Sequence, residues 1–83
     1  MPAKKPEMVK FEYEGNAFEA VKSEMDSYET NKQLAVGGPL LYIAMERLFN
    51  GRDVEYSKVV GGSYDAMIGL VNAAFAAYPK AKN

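Results

Sequence analysis

Apolar and polar side chains alternate near the start of the chain, and this alternation predicts a β-strand. In residues 8–13, Met-Val-Lys-Phe-Glu-Tyr, the side chains of Val9, Phe11 and Tyr13 would share one face. A period of two residues is typical of a strand with one buried face.

The segment that follows predicts a turn and a returning strand. Residues 14–16, Glu-Gly-Asn, favour a turn because Gly and Asn both tolerate a positive φ. Residues 17–21 would then pair with the first strand and place Phe18 and Ala20 on one face. A short helix over 17–25 is the alternative that the pattern leaves open.

Beyond the hairpin, apolar residues recur at steps of three and four, which is the period of an amphipathic helix. Four helices of unequal length are predicted, over residues 27–35, 39–50, 54–60 and 64–78. The first would bury Tyr28, Leu34 and Val36. The second has the clearest stripe, with Glu46 and Arg47 on its opposite face, and the stripe consists of Leu40, Leu41, Ala44, Met45, Leu48 and Phe49. The stripe of the last consists of Tyr64, Met67, Ile68, Val71, Ala74, Phe75 and Tyr78.

Helix boundaries are marked by residues that begin or end helices. Pro39 suits a first helical position, where its missing N–H costs nothing, and Ser63 suits an N-cap. The pairs Gly37-Gly38 and Gly61-Gly62 predict helix ends. Pro79 would stop the last helix.

These elements predict a mainly helical α+β fold, in which a short N-terminal β-hairpin precedes about four helices. The 83 residues suit one domain. We expect a disordered leader over 1–7, a single helical domain over 8–79 and a polar tail over 80–83.

Composition removes most catalytic chemistry. The chain has no Cys and no His, so it lacks thiolate nucleophiles and the commonest general base and metal ligand. The glycine pairs have neither the Gly-Lys-Ser/Thr ending of a P-loop nor the three spaced glycines of a dinucleotide site. Glu24, Asp26 and Glu29 do not meet the spacing of an EF-hand loop, so capping and helix-dipole roles are favoured for them. We therefore expect no enzyme, no metal and no cofactor.

Charge and hydropathy indicate the setting in which the chain acts. Between Glu7 and Glu29 there are seven acidic residues and two lysines, which leaves a local charge of −5. Such a flank repels phosphate and disfavours nucleic acid as a partner. No apolar region follows the first lysines as in a signal peptide, and no apolar run is long enough to span a membrane. These features predict a cytoplasmic protein.

Aromatic residues are the candidates for contact with another protein, because they combine large apolar area with a polar tip. Tyr42 falls off the stripe of the second helix, which indicates either the rim of the core or an interface. Phe49, Tyr56 and Phe75 are the other candidate partner-binding residues.

Two longer runs carry a family resemblance. They are Asp26-Ser-Tyr-Glu-Thr-Asn-Lys-Gln-Leu-Ala35 and Ala44-Met-Glu-Arg-Leu-Phe-Asn-Gly-Arg-Asp-Val-Glu-Tyr56, preceded by the phrase Phe11-Glu-Tyr-Glu-Gly15. With these runs the chain resembles the tail assembly chaperones of long-tailed bacteriophages in size and layout, over about residues 11–83. The family has no catalytic motif, so the resemblance implies no catalytic residue.

The resemblance implies a partner and a mode of synthesis. Such chaperones bind the long, aggregation-prone tape measure protein and keep it soluble while tail tube subunits polymerise around it. Many are also made in a longer form through a ribosomal frameshift near the end of the reading frame. Ala81-Lys82-Asn83 can be encoded by a slippery heptamer, although Lys-Asn is equally an ordinary polar tail.

Two further readings stay open. The acidic flank, with Glu12, Glu14 and Glu19, also suits a small phage-encoded inhibitor of a host protein that acts through an acidic surface. Surplus apolar surface on a small domain also favours a homo-oligomer.

Overall fold

The computed structural model describes residues 6–78, which form a two-stranded antiparallel sheet followed by five helices. The strands are β1 (Met8–Tyr13) and β2 (Asn16–Val21). The helices are α1 (Lys22–Asp26), α2 (Tyr28–Val36), α3 (Pro39–Leu48), α4 (Asp53–Val59) and α5 (Tyr64–Ala77). The predicted α+β class, with an N-terminal hairpin before the helices, is confirmed.

The hairpin buries the face that its apolar pattern predicted. Phe11 pairs with Phe18 and Val9 pairs with Ala20, and all four side chains are buried on one face. The rings of Phe11 and Phe18 stack with their centroids 5.8 Å apart. The alternative of a helix over 17–25 is therefore wrong for residues 17–21, because cross-strand packing on the core outweighs local helix propensity there.

The turn is one residue shorter than the predicted 14–16. Glu14 and Gly15 have positive φ angles of 52° and 83°, and Asn16 is already the first residue of β2. A two-residue loop with positive φ at both positions matches the twist of the strands. Glu14 thus takes a left-handed conformation that Asn or Gly would adopt with less strain.

A short helix, α1, follows β2 directly and was absent from the four predicted helices. Met25 is buried and anchors the helix in the core. On the exposed side, the Lys22 amine lies 3.3 Å from a carboxylate oxygen of Asp26, one helical turn later. The Tyr78 hydroxyl donates a hydrogen bond to Asp26, so α1 is also tied to the end of α5.

The burial expected for α2 is largely wrong. Ser27 caps the helix by accepting a hydrogen bond from the Thr30 amide at 3.1 Å. Tyr28 and Val36, which the sequence placed in the core, are 80% and 64% exposed, and Leu34 is half-buried. Thr30 is buried instead, because α2 turns its polar side towards α3.

A polar junction joins α1, α2 and α3. The Thr30 hydroxyl donates to the Glu24 carboxylate, and the Arg47 guanidinium donates to Gln33. Arg47 Nε also lies 3.5 Å from Glu24 Oε1. Arg47 is therefore half-buried between helices, whereas Glu46 keeps the exposed position that was expected for both. Since Thr30 is hydrogen-bonded, its burial carries no unsatisfied polar group.

All the main elements contribute side chains to one hydrophobic core. Helix α5 packs mainly along β1, and α3 packs mainly along α2. Leu70, which lay outside the predicted apolar stripe of α5, is fully buried. Leu40 and Tyr64, which were predicted to lie on the apolar stripes of α3 and α5, are exposed. A Cβ added at Gly69 would overlap the Tyr13 hydroxyl, so Gly69 allows β1 to approach α5 closely.

Some of the predictions concern the two ends of the chain, most of which lie outside the described residues. The predicted leader falls largely on residues 1–5, and the helix stop at Pro79 and the tail over 80–83 fall on 79–83, all outside the described residues. Glu7 is described, and its carbonyl accepts a hydrogen bond from the Lys22 amide at 2.8 Å. Pairing of the hairpin therefore extends into the segment that was expected to be a disordered leader.

In residues 6–78, no individual helix has the length and apolar composition needed to cross a membrane. Helices α4 and α5 reach that length and composition only when taken together, and they are bent by 107° relative to each other.

Candidate protein-binding groove

Several large apolar side chains face solvent. Eight of them in the described residues are exposed, and they come from α2, α3, α4 and α5: Tyr28, Val36, Leu40, Tyr42, Ile43, Val54, Val59 and Tyr64. Single exposed apolar residues are ordinary, so the informative ones are those that lie together.

Three of these side chains meet at a groove between α3, α4 and α5. The rings of Tyr42 and Tyr64 have centroids 6.2 Å apart and are tilted by 54°. Val54, which is 62% exposed, lines the same groove. The groove has a volume of about 320 Å³, and Met45 and Met67 also line it. Tyrosine, valine and methionine together form a wall with large apolar area and few competing polar groups.

Helical spacing explains how each element presents its groove residues. Tyr42 and Met45 are three residues apart on α3, and so are Tyr64 and Met67 on α5. Residues at this spacing lie one above the other on a helix surface. In each pair the methionine is buried and the tyrosine is exposed, so the pair runs from the core out to the rim.

The polar groups of the groove are few. The Ser57 hydroxyl donates to the carbonyl of Val54 at 2.6 Å, and the Ser63 hydroxyl accepts from the Ala66 amide at 3.0 Å as the cap of α5. Both hydroxyls thus already serve their own helices. Among the described residues that line the groove, Asp53 is the one that is charged, and it is half-buried. Within residues 6–78, no cationic side chain forms an ion pair with Asp53.

Two of the four predicted contact residues do not lie on the surface. Phe49 is fully buried and Tyr56 is 4% exposed, so the expectation that both are accessible is wrong. The Tyr56 ring packs edge-on against Phe18 and Phe49, at centroid distances of 4.8 and 5.4 Å. Its hydroxyl accepts a hydrogen bond from the Glu19 amide at 3.2 Å. Tyr56 therefore holds α4 against β2, and its polar tip is satisfied inside the fold.

Phe75, the fourth predicted contact residue, is half-buried in a different hollow. That hollow has a volume of about 300 Å³ and is lined from α2, α3 and α5, including Leu34, Leu41 and Ile68. It shares no lining residue with the groove at Tyr42. The structure thus brings none of the four predicted residues together on one accessible surface.

A larger hollow, of about 530 Å³, lies near Pro6 and is lined by Glu24, Glu46, Arg47 and Asn50 among others. It is wide but polar. Its charged groups Glu24 and Arg47 already pair with each other and with α2. We therefore regard the smaller and more apolar groove as the better binding site.

An ion pair on α4 lies outside the groove. The Arg52 guanidinium donates to both carboxylate oxygens of Glu55, at 3.2 and 3.1 Å. These hydrogen bonds lower the pKa of Glu55 below its usual 4.5 and raise the pKa of Arg52. Arg52 also lies over the Tyr56 ring, 5.0 Å from its centroid. Glu55 is thus a carboxylate with a partner, in contrast to Asp53.

The sequence pattern did not predict that Asp53, Val54 and Tyr64 line a surface groove. Tyr64 was placed on the apolar stripe of α5, although it occupies the first position of that helix, beyond the extent of the core. Its place directly after the capping Ser63 was the available signal. Asp53 is the first residue of α4, and nothing in the local sequence pattern connects it to Tyr42.

Comparison of the chain with protein-family models, with curated proteins and with solved structures finds no match. In the part of the chain that the structure describes, no three acidic side chains cluster in a way that could hold a metal ion.

Proposed function

We propose that this protein is a phage tail assembly chaperone that binds an apolar segment of the tape measure protein in the groove between α3, α4 and α5. The observation that supports the proposal most is the exposed Tyr42–Tyr64 pair beside Val54. Aromatic and methionine side chains around a concave surface are typical of sites that hold an apolar helix of another protein. The resemblance over residues 11–83 supplies the identity of the client.

The groove suits reversible binding better than a permanent interface. It is small, with a volume of about 320 Å³, and its apolar residues lie at the rim of a complete core. A chaperone that releases its client during tube polymerisation requires modest affinity, which depends on a few anchor residues. Tyr42 and Tyr64 are the anchors in this proposal.

The alternative, an inhibitor that acts through an acidic surface, gains less support. Glu12 and Glu14 are exposed on the hairpin, but Lys10 lies directly opposite Glu19 in the strand pair. This pairing mixes the charges on the face that would have to imitate a run of phosphates.

Co-expression tests the proposal. The tape measure protein of a phage that encodes this chain is expressed alone, with the native protein, and with the variant Tyr42→Ser/Tyr64→Ser. The matched control is Tyr28→Ser, which changes the most exposed tyrosine, 80% accessible on α2 and away from the groove. We expect the native protein and the control to raise the soluble yield of the client, and the double variant to lose that effect.

The result that contradicts the proposal is equally clear. An unchanged client yield with the native protein removes the chaperone function. If the double variant raises the yield as much as the native protein, the protein is a chaperone that binds its client on another surface. Circular dichroism of each variant confirms that folding is intact in either case.

A further inference from the structure

The groove combines two exposed tyrosines with one carboxylate that pairs with no cationic side chain of residues 6–78. Asp53 is half-buried, and within residues 6–78 it forms no ion pair. The other carboxylate of α4, Glu55, is exposed and already paired with Arg52. We infer that the groove recognises a lysine or arginine side chain, flanked by apolar residues, on an amphipathic segment of the partner.

The chemistry of the lining residues favours a cation in three ways. The negative faces of tyrosine rings attract an ammonium or guanidinium group, and more strongly once water is displaced. Asp53 lines the same groove and supplies a negative charge there. The stem of a lysine or arginine is apolar, so it can pack along Val54 and Met67 while its charged end reaches the carboxylate.

The size of the groove agrees with side chains of a larger partner. A volume of about 320 Å³ lies at the lower end of the ~300–1,000 Å³ typical of small-molecule sites, and the groove is open. A helix laid across α3, α4 and α5 would insert one or two side chains. An acidic residue at the same position would place two carboxylates together without a counterion, so the groove selects against acidic segments.

This inference rests on the proposed function for the place of binding and adds the chemistry of the client. It predicts that the tape measure segment that binds here carries a basic residue within an apolar stripe. The test uses synthetic peptides, so it can succeed or fail independently of the co-expression experiment.

The probe is a panel of end-blocked helical peptides with a leucine stripe and one central residue on the edge of that stripe. Each peptide is made in three forms, with lysine, the neutral norleucine or glutamate at the central position. The peptides of the panel differ in the spacing between this central residue and the leucines. Binding to the full chain is measured by calorimetry and by NMR titration of the tyrosine and methionine signals. For the best register, we expect the lysine form to bind about tenfold more tightly than the norleucine form.

Substitutions assign this preference to the carboxylate. Asp53→Asn should reduce the tenfold preference for the lysine form to about two- to threefold, the part that the tyrosine faces supply. Asp53→Lys should reverse the order so that the glutamate form binds best. The matched control is Glu55→Gln, which neutralises the paired carboxylate of the same helix and should leave the preference unchanged.

Three outcomes overturn the inference. These are equal affinity of the lysine and norleucine forms for the native protein, no binding by any member at millimolar concentration, and a lysine preference that Asp53→Asn leaves undiminished. Sedimentation without peptide tests the competing occupant. A dimer that Tyr42→Ser/Tyr64→Ser dissociates would show that a second copy of the chain covers the groove.

Discussion

Tyr56 and Tyr42 lie on neighbouring helices, and the fold uses them in opposite ways. Tyr56 on α4 is 4% exposed, and it contacts Phe18 and Phe49 while its hydroxyl accepts a hydrogen bond from the Glu19 amide. Tyr42 on α3 is 56% exposed and contacts the equally accessible Tyr64. The first region is a closed aromatic cluster, and the second is an open aromatic pair.

The difference shows where the apolar surface of a small domain goes. The aromatic cluster joins β2, α3 and α4, so its side chains stabilise the fold. The aromatic pair leaves large apolar area in contact with water, which gives little stability but allows binding.

Removal of the Tyr56 ring should have the largest effect. Tyr56→Ala leaves a cavity between Phe18 and Phe49, and we expect a loss of about 3–5 kcal/mol in the free energy of unfolding. Urea denaturation followed by circular dichroism measures it. In a domain of this size the variant should be largely unfolded at 37 °C.

Tyr56→Phe is the milder companion variant. It keeps the ring and leaves the Glu19 amide without its acceptor, so a loss of about 1 kcal/mol is expected. A loss below 1 kcal/mol for Tyr56→Ala would show that the aromatic cluster does not hold α4 on the sheet.

Gly69→Ala probes the tight contact between α5 and β1, which, like the aromatic cluster, belongs to the packed interior of the fold. The new methyl group would overlap the Tyr13 hydroxyl, which costs about 1–3 kcal/mol, and a gain of about 1 kcal/mol in helix propensity offsets part of it. We expect a net loss of up to about 2 kcal/mol. In a Tyr13→Ala background the clash is absent, and the same substitution should become stabilising; additive effects of the two changes would rule out the steric explanation.

Glu14→Asn should strengthen the hairpin that supports the aromatic cluster. Glu14 has a φ of 52°, and asparagine adopts this conformation with less strain. A gain of about 0.5–1 kcal/mol is expected. The control is Glu12→Gln, which also removes an exposed charge but keeps an extended backbone. Equal gains from both would assign the effect to charge and not to the turn.

Tyr42→Ala and Tyr64→Ala should have the smallest effects on stability. Each residue is at least half exposed, so we expect less than about 0.5 kcal/mol for either change in thermal or urea unfolding. Losses above 2 kcal/mol would place the pair in the core and would remove the contrast with Tyr56.

Much of the fold followed from local pattern. The alternation over residues 8–13 placed Val9 and Phe11 on the buried face of β1, as observed. Ser63 caps α5 through the Ala66 amide, and Pro39 begins α3, because caps and proline act through the backbone of their own helix. The extra helix α1 was missed because its five residues contain only one buried anchor, Met25.

The sequence by itself determined the helix and strand periods, their caps and breaks, and the lack of thiol and imidazole chemistry. Those features depend on residue type and short spacing. Only the tertiary structure decided that Thr30 is buried while Tyr28 is exposed, and that Tyr56 closes the core while Tyr42 and Tyr64 line a groove with Asp53. Burial depends on which helix faces meet, and residues 42, 53 and 64 become neighbours only when α3, α4 and α5 pack together.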